Sequence, residues 1–173
     1  MTMAPGLRKA ALTVHVAASV GWLGAVVAYL PLAAAVLTSE NTQVVRGAYV
    51  AMDLIVWYAI LPLSATSLLT GLVSSLGTAW GLLRHYWVLF KLVLNLFATT
   101  VLLGYTQAID SYAAVAAKTS LSTADLAALR DPTHVVHSGV GLLVLLCAAV
   151  LAIYKPRGLT PYGQRKRRPA LAP

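Results

Sequence analysis

Five side chains able to move protons or bind a metal sit where the surrounding sequence carries almost no charge: His15, Asp53, Lys91, His134 and His137. An imidazole can take up a proton or ligate a metal near neutral pH. An amine ligates only once deprotonated, and a carboxylate accepts protons or holds a hard cation. His15 shares a helix face with Ser19 and Trp22, and Lys91 shares one with Asn95, Ala98 and Leu102. His134 and His137, three apart, also share a face, and Gly139 and Gly141 open space just beyond them. His-x-x-His is a poor metal signal by itself, because two ligands do not fill a coordination sphere. The sequence has no Gly-rich phosphate loop after a strand, no cysteine pair and no serine nucleophile motif. Any chemistry would therefore be carried by a cofactor held among helices.

Composition says what those helices are. Of 173 residues, 59% are hydrophobic and 10% charged, and the mean hydropathy is +0.77. A soluble domain carries about 25% charged residues. A disordered chain, an ordinary water-soluble globule and a disulfide scaffold are all excluded, the last because Cys147 is the single cysteine. The net charge of +8 is no nucleic-acid signal, since six of the 13 basic residues follow residue 154 as a tail.

Gaps in the charge pattern mark the membrane spans. No residue is charged between Lys9 and Glu40 or between Asp131 and Lys155; Asp53 is the only charge between Arg46 and Arg84, and Lys91 the only one from 85 to 109. Each gap reaches the roughly 20 residues needed to cross a hydrocarbon core. The expected fold is an all-α, four-helix transmembrane bundle with spans at about 10–37, 49–76, 86–109 and 133–154. Residues 1–154 form the membrane domain and 155–173 a basic tail. The first span is too long for a signal peptide. Segment 110–131 reads as the one long loop, where Ser122 or Thr123 could cap a short helix ending near Leu129. Nine of the 13 basic residues flank one side: Arg8, Lys9, Arg84 and six in the tail; only Arg46, Lys118 and Arg130 flank the other. This places both termini in the cytoplasm and draws the tail to anionic headgroups.

The ionisable residues then fall into two layers. His15 and Lys91 each lie about five residues inside the cytoplasmic interface, roughly 7–8 Å deep at 1.5 Å per residue. Matched depth permits contact. Asp53, His134 and His137 form an outer layer, with Tyr105 and Gln107 at similar depth. Asp53 with His137 could be a proton-accepting pair, a metal site or a packing bond. Plainer readings stand beside these: Lys91 snorkelling to the headgroups, and His15 bonded to a backbone carbonyl.

The stretch from His15 through Trp22-Leu23-Gly24, followed by Tyr29-Leu30-Pro31, resembles the first helix of several small membrane families. Over nearly its full length, including Lys91 and the segment 154–163, the chain resembles an actinobacterial four-helix integral membrane family with no assigned activity. It is distantly similar to the copper-resistance D family, and to the heme-containing, four-helix protoporphyrinogen oxidase family of bacteria. In the oxidase family a first-helix His precedes a Trp by seven, as His15 precedes Trp22, and a later helix has the pattern of Trp87, Lys91 and Leu92. Pro62, Gly71-Leu72 and Lys155-Pro156 agree loosely. That resemblance implies b-type heme binding through His15 and Lys91. The family has an Arg where this chain has Leu32, so it supports the heme scaffold better than the porphyrin substrate.

The expectation is a heme b protein of the bacterial cytoplasmic membrane, with His15, Lys91, Trp22 and Asn95 around the cofactor and His15 and Lys91 at the iron. Lys91 would be an axial ligand or a propionate partner. Such a protein would act in electron transfer, or as a heme-dependent oxidoreductase, with a quinone or porphyrin-like small molecule; self-association into a homo-oligomer stays open. The alternatives are a cofactor-free accessory subunit and a copper-handling protein using His15, His134 and His137. Copper(I) favours soft ligands, and two of the three methionines precede the first span.

Overall fold

The computed structural model describes residues 3–78 and 81–167. Its helices are α1 (Pro5–Thr38), α2 (Thr42–Ile55), a π segment (Val56–Ile60), α3 (Leu61–Leu76), α4 (Tyr86–Ala116), α5 (Thr123–Leu129), α6 (Thr133–Tyr154) and α7 (Pro161–Arg167). Four stretches are long and apolar enough to cross a membrane: α1, α2 through α3, α4, and the chain ending in α6. The chain is an all-α four-helix bundle of multi-pass membrane type. An even number of crossings returns both termini to one end, called the terminal end here.

Each span packs on two neighbours, in the cyclic order α1, α2–α3, α4, α6. Helices α1 and α4 therefore face each other across the diagonal. The stripe that α1 turns inward is regular: His15, Trp22, Tyr29 and Val36 recur every seven residues, with Ala18, Val26 and Ala33 between them, and all are buried. A seven-residue repeat holds one seam on the bundle axis when helices wind left-handedly. Small residues let the backbones approach; a Cβ added at Gly21 would come within 3.3 Å of Leu63.

The second span is one crossing built from three pieces. Pro62 has no N–H to give to the fourth residue before it, and its ring would strike that carbonyl in a regular helix. The chain widens instead, and Leu61 N–H reaches the carbonyl of Val56, five residues back. Widening also keeps the inward face in register. Met52, Val56, Ile60 and Ser64 are all buried at spacings of four. In a regular helix Ser64 would point about 120° away from Met52.

Segment 110–131 is not one loop. Helix α4 continues through Ala116, and α5 follows with Ser122 as its N-cap; Ser122 and Asp125 close a capping box. Lys118, 2.6 Å from Asp125, together with the Ser122 hydroxyl and N–H, holds the Asp125 carboxyl well below the usual carboxylate range. The basic residues of this far end stitch its loops. Arg46 donates to the carbonyls of Lys118 and Thr119, and Arg130 to that of Ser39 at 3.1 Å.

At the terminal end the chain after α6 folds back on the α3–α4 connection. Thr160 N–H donates to the Arg84 carbonyl (3.0 Å), its hydroxyl to that of Leu83, and Tyr86 N–H to that of Gly158. Residues 158–164 are thus docked structure as well as basic tail. Arg168 and the rest of the expected tail lie outside the described residues.

Candidate functional site

Two cavities lie along the diagonal between α1 and α4, one toward each end of the bundle. The terminal-end cavity, of about 540 Å³, contains the first polar layer. His15 reaches it from the inward stripe of α1 and is 7% exposed. Its Nδ1 lies 3.0 Å from the Ser67 carbonyl and 3.3 Å from the Thr70 hydroxyl. A carbonyl only accepts, so Nδ1 carries the proton and Nε2 keeps its lone pair. Lys91 Nζ donates to that lone pair at 3.1 Å, closing the diagonal from α4.

The wall behind the ring is Gly71, where a Cβ would stand 3.0 Å from His15 Cε1. A side chain larger than a methyl there would push the imidazole off its Ser67 anchor. Ser19 and Ser67 hydroxyls, 2.7 Å apart, tie the same turns of α1 and α3. The register kept by the π segment is what brings Ser64, Ser67 and Gly71 to this face. Asn95, one turn beyond Lys91, also lines the cavity and is buried. Arg8, Lys9 and Lys155 complete a lining with four cations and no carboxylate. Ser74 Oγ, on a lining residue, is buried with no hydrogen-bond partner among the described residues.

The second layer forms a separate network at the far end. His134 is fully buried, its Nδ1 bonded to the hydroxyls of Tyr105 and Tyr29. Tyr49, Tyr105 and Tyr112 meet its ring edge-on, and Tyr49 stacks on Tyr112. Tyr49 donates to the Leu129 carbonyl at 2.6 Å, and Tyr112 to Asp131 at 2.5 Å. These bonds lock α2, α4, α5 and α6 together.

The expected residues divide accordingly. His15, Lys91 and Asn95 converge on one cavity. Trp22 does not join them: it lies one heptad toward the far end and lines the second cavity. His134 and His137 share the far end, but Asp53 does not join them. It faces Asp110, the acceptor of a 2.9 Å bond from Trp57 Nε1. Asp53 of α2 thus neighbours a second carboxyl on α4, and among the described residues no hydrogen bond or ion pair joins it to His137. Among the described residues no three His, Cys, Asp or Glu side chains converge, so His15, His134 and His137 do not make a common copper site. Tyr29 and Gly71 escaped the reading of ionisable groups. Tyr29 was reachable, standing 14 residues after His15 on the same heptad stripe.

No family model, curated protein or solved structure matches the chain. The site therefore has to be read from its own geometry.

Proposed function

We propose that the terminal-end cavity holds a b-type heme, with His15 as axial ligand. One observation carries this: the imidazole is pinned through Nδ1–H to a backbone carbonyl, so that Nε2, now the acceptor of Lys91, is its metal-binding nitrogen at the cavity. That second bond fixes the tautomer and orientation that a metal-binding histidine needs. The residues present fit such a group. Gly71 leaves room for the imidazole, the cations suit acidic substituents, and Ser74 Oγ offers a polar atom with no hydrogen-bond partner among the described residues.

Lys91 is the cation for a propionate. Its nitrogen stands 3.1 Å from His15 Nε2, closer than the about 4 Å that two metal–nitrogen bonds span. With Nε2 given to the iron, the Lys91 ammonium would hold a propionate carboxylate in its place. A heme so held supplies a one-electron iron couple. The chain's part is to fix the ring, neutralise the acid groups and exclude water.

The protein then acts in electron transfer, or as an oxidoreductase on an apolar substrate, in the bacterial cytoplasmic membrane with both termini inside. Excess Arg and Lys at the terminal end supports that orientation. The test is the visible spectrum of protein purified in mild detergent from heme-sufficient cells. A Soret band with reduced b-type bands is expected. Colourless protein that takes up no added hemin contradicts the proposal.

A further inference from the structure

The far-end cavity is not used by the function proposed above. It is a slot of about 220 Å³ walled by apolar side chains of α1, the π segment, α4 and α6, among them Val26, Ile60, Leu102 and Leu145. Four other wall residues, Phe97, Val101, Val136 and Val140, are exposed. All four belong to α4 and α6, so the mouth opens sideways between those helices, toward lipid.

The slot has polar groups among its apolar walls. Tyr29 and Tyr105, whose hydroxyls are 3.1 Å apart, belong to its lining, as does His137, whose ring stacks on Tyr105 at 4.8 Å. His137 commits Nδ1–H to the Thr133 carbonyl at 3.0 Å, which leaves Nε2 as an acceptor. The tyrosines bond each other and His134 Nδ1. When that nitrogen accepts, both phenolic protons are engaged; when it donates, one of them has no acceptor within the network. Behind them His134 Nε2 is buried with no hydrogen-bond partner among the described residues. In that second tautomer the lining can take one hydrogen bond, at His137, and give another, from a tyrosine.

A hydrocarbon tail needs no such groups. A flat ring with an oxygen function and an apolar tail does: its carbonyl accepts from a tyrosine, and its reduced hydroxyl donates to His137. The volume suits one substituted ring, smaller than the cavity at the terminal end. We infer that the slot binds the head group of a lipid-soluble quinone or quinol entering from the bilayer between α4 and α6. This deepens the function proposed above by naming its apolar partner, and rests on that reading only for the purpose of the binding; the binding itself needs no heme.

Gly141 supplies a clean block. It lines the slot, and a Cβ added there meets nothing within 4 Å. A leucine at this position enters open space instead of straining the backbone. The experiment titrates detergent-purified protein with a decyl-tailed benzoquinone and follows the unfolding midpoint. Wild type should show a saturable rise, because a ligand bound only by the folded state stabilises it. Gly141→Leu should abolish the saturable rise while keeping its unliganded midpoint. His137→Ala should raise the half-saturating concentration about three- to tenfold, the loss of one hydrogen bond. Decylbenzene, with the tail and ring but no oxygens, should give no saturable response. No saturation in wild type, an unchanged response in Gly141→Leu, or a decylbenzene response equal to the quinone's would each overturn the inference. The Soret band read on the same samples separates the two readings. Lost quinone response with the band intact overturns the slot alone; saturable quinone binding without the band overturns the heme alone.

Discussion

His15 is held by a bond from Nδ1 to Ser67 and backed by Gly71, and each contact has its own expected consequence. Gly71→Leu should displace the ring and lower the heme-to-protein ratio several-fold, whereas Gly71→Ala, needing a shift of a few tenths of an ångström, should keep most of it. A pyridine hemochrome assay measures both. With Lys91 as the proposed propionate partner, Lys91→Met should weaken heme retention and leave the ligand-field bands in place; a change of spin state would make Lys91 an iron ligand instead. At the far end Tyr49→Phe removes the bond to Leu129 and leaves a buried carbonyl unmet. It should cost about 1–3 kcal/mol, read from unfolding in detergent. The matched depth of His15 and Lys91 was legible in the sequence, because charge is rare there and rise per residue converts position to depth. The partner of Asp53 was not, since depth alone does not say which helix face turns toward which neighbour.

The spans were legible as elements because gaps in charge measure them directly, and the Ser122 cap was readable from its local chemistry. The π segment was not, although Pro62 marks where a regular helix must yield. Its effect on register gives a sharp prediction. Deleting the exposed Tyr58 and replacing Pro62 by Ala should yield a regular helix. Ser64 would then follow Met52 at 11 residues, which returns it to the same face within about 20°. Heme content should survive that change. Deleting Ala65 instead turns Ser67 and Gly71 about 100° from His15 and should abolish heme retention. The bonds from residues 158–164 to the α3–α4 connection also went unseen, because a polar segment after a span carries no periodicity to read.

On the scale of the whole molecule, the bundle keeps two polar layers apart by a heptad stripe that runs His15, Trp22, Tyr29 and Val36 along α1. The proposed orientation, both termini inside, predicts that a cysteine introduced at the exposed Ser120 is labelled by an impermeant reagent from outside the cell, and that a reporter fused after Pro173 reads as cytoplasmic. Labelling at position 120 only after the membrane is breached would reverse the orientation. The central claim is that the cofactor belongs to the His15 layer alone. The most direct test is the heme-to-protein ratio of His15→Ala beside His137→Ala, both purified identically. The account predicts that His15→Ala loses nearly all of its heme, while His137→Ala, at the other end of a core about 30 Å thick, retains the wild-type ratio. Full heme in His15→Ala with loss in His137→Ala would contradict it and place the iron in the far layer.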